Sequence, residues 1–510
     1  MKSKKYQFEE LEKVNSITEL VERSARLYPE NIAFRYKKKK LSFQKTYSEL
    51  LGDSKRFASY LLSLNLRKGH VALLGASGYE WITAYIGVQF AGLTVVPLDK
   101  DLECDKLIAQ IKKSDTDFLF FDNAYSKTAQ EIVSAFSGEL DSFMMEDPLP
   151  EAEGEVFFPT SDPDRLSAIL FTSGTTGSSK GVMLTERNIA YNVTCGLGAI
   201  NFAVGEDVAL SILPLNHAFE NTFTVFGGIY SGATVCISRS LKYLQKEIKE
   251  YQPTVMLVVP LIAEKLFEKV ESTVKKQGKE KKFQKALKLS AFLQRFGIDI
   301  SDKLFDEVKE AFGGKLRTLI CGGAPLKEEL IEKYHALGIN LLQGYGLTEC
   351  SPLLSVNFYN YHRKNSVGKV VDTCEVKIVD GEIWAKGATI SNGYYNDEEN
   401  TQASFSDGWF RTGDLGVVDE NNCYRITGRC KNVIVTKNGK NIFPEELETY
   451  LGRTPYVAES VVVGYMNPKK KDYDIVAIIR PDLDRMVEDF GADYTRDQLE
   501  TELKKAISEV

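Results

Sequence analysis

Residues 81–98 are eighteen consecutive positions without a charge. A stretch that long lies either in a bilayer or in a protein core. Gly87, Gly92 and Pro97 interrupt it. It therefore reads as a buried helix that turns at Ala91-Gly92 into a strand over 93–97, and the reading as a membrane span is rejected. Residues 222–237 repeat the pattern, with Ser231-Gly232 ahead of a strand over 233–237. Two helix–glycine–strand units predict an α/β fold.

The rest of the chain fits that class. Residues 8–26 read as helical, 32–36 and 40–43 as two strands around a lysine turn, and 47–64 as a helix. Short apolar runs at 71–75, 118–121, 168–172 and 255–259 predict buried parallel strands. Residues 148–164, acidic and proline-bearing, read as a surface connector. Residues 262–312 are helical and lysine-rich, and from about 366 short strands and turns dominate. A length of 510 residues suits more than one packing unit. A net charge of −7 argues against a general nucleic-acid binder, whose affinity would rest on Lys and Arg. The eight cysteines are scattered without CxxC or Cys/His zinc spacing, which reads as reduced thiols in the cytosol. The first ten residues, MKSKKYQFEE, lack the apolar core of a signal peptide.

The most informative stretch is 170–185, LFTSGTTGSSKGVMLT. An apolar strand enters a loop of glycines and hydroxyls ending on Lys180. Glycines let backbone N–H groups turn toward an anion, and the hydroxyls and the lysine add donors and charge, which suits a polyphosphate. It is not a Walker A loop, since Gly181 follows Lys180 where that motif needs Ser or Thr.

This loop resembles the phosphate-binding signature of the adenylate-forming superfamily, which holds acyl-CoA synthetases, luciferases and peptide-synthetase adenylation domains. Further motifs follow in the family's order. LPLNHAFE at 213–220 resembles the border of the acyl site, with His217 at the family's histidine. CGGAP at 321–325 resembles the turn that lines adenine and the acyl pocket. QGYGLTEC at 343–350 is the most specific. DGWFRTGDLG at 407–416 and YRITGR at 424–429 resemble the ribose-binding pair, with Asp407-Gly408 read as a turn.

The resemblance implies site residues one by one. Thr172, Ser173, Gly174, Thr175, Thr176, Gly177 and Lys180 would hold the ATP phosphates. Gly322, Gly323, Ala324, Pro325, Tyr345 and Gly346 would hold adenine, with Tyr345 stacked on it. Thr348 would meet the α-phosphate, and Glu349 would help hold Mg²⁺. Asp414 and Arg429 would take the ribose hydroxyls. Lys180, His217, Thr348, Glu349 and Lys431 are the expected catalytic set, Lys431 as the hinge and Asn438-Gly439 as the loop near the thiol.

It also implies a fold: a large N-terminal domain over 1–429, of doubly wound sheets with a barrel-like subdomain, and a small mobile α+β domain over 430–510. That small domain is expected to be incomplete. The family's last lysine, in a Gly-Lys motif, has no match after Gly491, and Lys504 and Lys505 are not assigned its role.

The implied reaction joins a carboxylic acid to ATP as acyl-AMP and then moves the acyl group to a thiol. The leading thiol is CoA; an acyl carrier protein is the alternative. A nucleotide-binding homologue impaired in catalysis is the reading from another class. The helical stretch 262–312 and the 213–220 segment resemble long-chain fatty-acid–CoA ligases, so a medium or long-chain fatty acid is expected. Seven lysines among apolar residues at 275–288 suit contact with the anionic inner face of a membrane, and equally a solvated helix face. No motif bears on oligomeric state.

Overall fold

The structure is a computed structural model. It describes residues 9–64, 66–150, 156–172, 179–200, 202–359, 363–437, 441–452, 454, 456–467, 472–491 and 493–508. Ser173, Gly174, Thr175, Thr176 and Gly177, and also Asn438 and Gly439, lie outside the described residues.

The chain divides into two compact units. One holds residues 1–375 and 385–410, the other 376–384 and 411–510. Lys431 therefore lies inside the second unit, on a short 3-10 turn at Cys430–Asn432. Compactness and the position of a hinge are separate properties, and the division made by packing falls at different residues from 429/430.

The first unit is built on two sheets. The smaller has six strands in the order Asp141–Met144, Phe118–Phe121, His70–Leu74, Thr94–Pro97, Leu166–Thr172, Lys180–Thr185. All are parallel except the last, which returns antiparallel with Thr172 opposite Lys180. The larger has nine strands, in the order Lys369–Val370, Leu353–Val356, Asn340–Gly346, Thr318–Cys321, Val255–Val258, Val208–Ser211, Thr234–Ile237, Ile32–Lys38, Leu41–Thr46. Its centre is parallel and its margins are antiparallel.

Alternation along the strands explains the layering. Val71, Leu73, Val95, Phe118 and Phe120 of the six-stranded sheet share a core with Phe34, Val235 and Ile237 of the nine-stranded one. Ala72, Leu74, Val96 and Leu119 face the other way, onto helices Cys104–Lys113 and Ser126–Ser134. Leu210, Met256, Val258 and Leu319 likewise face helices Pro260–Lys276 and Glu328–Ala336. Helices thus lie between the sheets and on both outer faces.

The uncharged stretch sits in the middle layer. Helix Tyr79–Phe90 buries every residue but Glu80, as a helix apolar all round must. Gly92 then takes φ +71 and the chain enters Thr94–Pro97; Gly232, also at φ +71, makes the same turn before Thr234–Ile237. No helix among the described residues is long and apolar enough to cross a membrane.

One expectation needs correction. The first helix begins at Ile17, because the Ser16 side chain accepts from the Glu19 N–H and caps it there; described residues before it are not helical. The expected helical stretch 262–312 is present, as the helices Pro260–Lys276, Glu280–Gln294 and Ser301–Lys309, with Gly278 and Gly297 in left-handed turns between them.

In the second unit, Asp414 stands opposite Arg429 in an antiparallel pair. Strands Val457–Asn467 and Asp472–Pro481 form a hairpin, with helices Pro444–Leu451, Leu483–Phe490 and Arg496–Ser508 around them in sequence. That is α+β, as the sequence reads.

Candidate active site

In a parallel sheet, ligands gather past the carboxyl ends of the strands. Four neighbouring strands of the nine-stranded sheet end there, three of them on the motifs singled out above. Val208–Ser211 leads into 213–220, Thr318–Cys321 into Gly322-Gly323, and Asn340–Gly346 carries Tyr345 and runs on to Thr348; Val255–Val258 leads into Pro260. His217, Gly322, Gly323, Tyr345, Gly346 and Thr348 line one cavity of about 240 Å³, wholly within the first unit. Ala324 and Pro325 are exposed and do not line it.

Beyond these residues the cavity is mostly apolar. Leu197, Ala209, Phe223, Met256 and Ile320 form its walls. Glycines keep it open. A Cβ on Gly322 would come within 3.3 Å of the Phe219 ring, so glycine there lets that ring lie against the backbone. His217 is exposed, not a core histidine, and precedes the short helix Ala218–Glu220. That helix widens into a π-helical turn, Asn221–Phe226, from which Phe223 and Thr224 reach the cavity. Such turns gather at functional sites.

Glu220 fixes this segment. It is fully buried and accepts from the Ile212 N–H and the Thr224 hydroxyl, each at 3.0 Å. Burial pushes its carboxyl up to about 7, against the pull of those donors. Nothing in the order of residues 213–220 points to this role.

The metal motif lies near Lys180, with Tyr394 between them. Glu349 is buried, and its Oε1 accepts from the Tyr394 hydroxyl at 2.8 Å. The Lys180 ammonium sits 4.8 Å from the centre of the same Tyr394 ring. The end of the loop is pinned from below, Lys113 donating to the Ser179 carbonyl (3.1 Å) and the Asp397 carboxylate (2.6 Å). Among the described residues no group of three His, Cys, Asp or Glu is placed to hold a metal alone. A divalent cation would take Glu349 together with phosphate oxygens of a bound nucleotide, the donor mix that Mg²⁺ favours.

In the second unit, the Arg429 guanidinium pairs with the buried Asp414 carboxylate at 2.9 Å. Asp407 (φ +51) and Gly408 (φ +77) form the expected tight turn in the first.

Known proteins share sequence and fold with this chain. The AMP-binding enzyme family matches residues 21–395. The long-chain-fatty-acid–CoA ligase FadD15 of Mycobacterium bovis is 30% identical over 464 residues, 83% of this chain and 76% of the relative. The human long-chain-fatty-acid–CoA ligase ACSBG1 is 29% identical over 493 residues, 86% and 67% of the two chains. The solved o-succinylbenzoate coenzyme A synthetase of Bacillus subtilis, in complex with ATP and magnesium ion, has a TM-score of 0.73 at 25% identity, covering 90% of this chain and 89% of that one. ATP-bound MatB of Rhodopseudomonas palustris shares the fold with a TM-score of 0.75, at 23% identity and with 96% and 92% covered.

Proposed function

Since this chain belongs to the AMP-binding enzyme family, we propose that it is an AMP-forming acid–thiol ligase. It activates a fatty acid of medium or long chain with ATP and Mg²⁺ to acyl-AMP, then transfers the acyl group to CoA. The observation that carries the substrate class is the mostly apolar cavity that His217, Tyr345 and Thr348 help to line. Its apolar walls suit an alkyl chain, and His217 and Thr348 on its lining suit a carboxylate and a phosphate.

The chain's own residues would do little covalent work. Positioning and charge neutralisation dominate phosphoryl chemistry of this kind. Lys180 and the loop before it would hold the phosphates, Tyr345 the adenine, Thr348 the α-phosphate, and Asp414 and Arg429 the ribose. His217 would stand over the carboxylate. A bound Mg²⁺ would neutralise phosphate charge, with Glu349 among its ligands. Lys431 would serve as the hinge before the thiol step.

The test is pyrophosphate release across a series of carboxylic acids, with CoA, with a phosphopantetheinylated carrier protein, and with neither. Release of AMP and pyrophosphate should rise from acetate toward long saturated acids, and thioester should form with CoA. ADP and phosphate as products would sink the class. A preference for benzoate or an amino acid would remove the fatty-acyl reading.

A membrane contact has its own support. Along helix Glu280–Gln294 the exposed face carries Lys281, Lys282, Lys285 and Lys288, then Leu289 and Phe292. Phe296 and Ile298 continue the exposed apolar patch just past its end. Lysines beside exposed aromatics suit an anionic bilayer surface, where fatty acids partition. Replacing Phe292 and Phe296 together by glutamate should weaken sedimentation with phosphatidylserine vesicles by about tenfold or more, from lost apolar burial. Unchanged binding by the folded double variant would remove this contact.

A further inference from the structure

Tyr394 belongs to none of the motifs read from the sequence, yet it stands between two of them. Its hydroxyl donates to Glu349 Oε1 at 2.8 Å, and its ring centre lies 4.8 Å from the Lys180 ammonium. One side chain thus touches the expected metal carboxylate and the expected phosphate lysine, which are far apart in the sequence.

The placement is built by the backbone. Residues 391–395 run beside the strand Lys180–Thr185 as an added antiparallel segment. Tyr394 bridges to Val182, the Met183 N–H donates to the Gly393 carbonyl, and the Tyr395 N–H donates to the Gly181 carbonyl at 2.8 Å. The Ser391 N–H donates to the Glu349 carbonyl, also at 2.8 Å. The Thr401 hydroxyl takes the Tyr394 N–H. The ring is 5% exposed.

We propose that Tyr394 is a positioning residue that sets Glu349 for a divalent cation and Lys180 for phosphate at the same time. The hydroxyl occupies one carboxylate oxygen and turns the other toward the nucleotide, as partners of metal ligands commonly do. The ring face holds the ammonium by cation–π attraction and limits where it can swing. The inference rests on the ATP·Mg²⁺ reading given above.

The two contacts separate by substitution. Tyr394→Phe keeps the ring and loses the hydroxyl. Tyr394→Leu loses both. The readout is binding of Mn²⁺ to the protein with α,β-methylene-ATP, followed by electron paramagnetic resonance, and binding of the analogue alone without metal. Tyr394→Phe should raise the Mn²⁺ Kd by about tenfold, with metal-free analogue binding unchanged. Tyr394→Leu should in addition weaken metal-free binding by about fivefold. On a Glu349→Gln background, Tyr394→Phe should add no further loss of Mn²⁺.

A folded Tyr394→Phe protein that binds Mn²⁺ like the wild type overturns the inference. So does an undiminished effect on the Glu349→Gln background, because the hydroxyl would then be acting elsewhere. A role in packing alone would lower the melting temperature of both variants and leave the Mn²⁺ Kd in place. If the wild type binds neither metal nor analogue, the ATP reading itself falls, which is a distinct result from a wild type that binds and a Tyr394→Phe variant that binds equally well.

Discussion

Glu349→Gln is expected to slow acyl-AMP formation by about 10²–10³-fold, with ATP affinity nearly unchanged. Glutamine keeps the shape and leaves an acceptor for the Tyr394 hydroxyl, but it removes the negative charge that a divalent cation requires. The cation then offsets the phosphate charge less well as pyrophosphate departs. An oriented charge of this kind commonly supplies about 3–4 kcal/mol in the transition state, at 1.36 kcal/mol per decade of rate. Single-turnover acyl-AMP formation at saturating ATP and Mg²⁺ reads the chemical step, and equilibrium binding reads affinity. Tyr345→Ala gives the contrast, since loss of stacking on adenine should weaken ATP binding and spare the rate at saturation. Equal losses of ATP affinity in both variants, with an intact chemical rate, would remove the roles assigned to both residues.

Much of the fold was legible where burial forces a pattern on the sequence. The apolar run at 118–121 is the strand Phe118–Phe121, and the expected turn at Ala91-Gly92 is made by Gly92 at φ +71. Parallel strands buried on both faces must be apolar throughout, so they stand out from their surroundings. Helix ends were harder, because capping is a local contest. Ser16 stops the first helix at Ile17 although apolar spacing continues before it. Gly278 and Gly297, at positive φ, divide the lysine-rich helical stretch into separate helices.

The site divides along a similar line. His217, Tyr345 and Thr348 were read through motifs, and they meet because those motifs lie past the same end of two strands of one sheet, with two strands between them. Their shared cavity was not legible, since its walls come from Leu197, Ala209, Met256 and Ile320, apolar positions that look like ordinary core. Tyr394 and Glu220 were missed for another reason. Each acts through a partner that only folding supplies, Tyr394 through Glu349, 45 residues away, and Glu220 through the backbone end of a strand. A tyrosine after glycine in a polar segment, and a glutamate beside a phenylalanine, carry no signal of that.

The cavity walls give the second large expected effect. Gly227→Phe should cut kcat/KM for long-chain acids by about 10²–10³-fold and leave short acids such as butyrate close to wild type. Gly227 opens the helix Gly227–Ser231 and lines the cavity. A Cβ placed there meets only Leu197 and the Thr222 carbonyl, both at ordinary contact distance of 3.7 Å or more. The backbone is helical, with φ −62, so a side chain is allowed without strain. Leu197 is itself a wall of the cavity, and a phenyl ring growing past it has the cavity to enter. A chain of fatty-acid length would then lose contact with four or five methylenes. At about 0.8 kcal/mol for each buried methylene, that is roughly 3–4 kcal/mol, the source of the expected factor. A short acid never reaches the ring and should lose little. Gly227→Ala is the control, with both substrate classes expected within about threefold of wild type, since alanine fits the space and favours the helix. The comparison needs kcat/KM for a series of saturated acids with the two variants, and ATP binding to show that the nucleotide site is intact. Full activity of Gly227→Phe on long acids would place the alkyl chain outside this cavity. Equal losses for butyrate and long acids, in a folded protein that still binds ATP, would mean that the ring disturbs the residues around His217 and does not shorten the cavity.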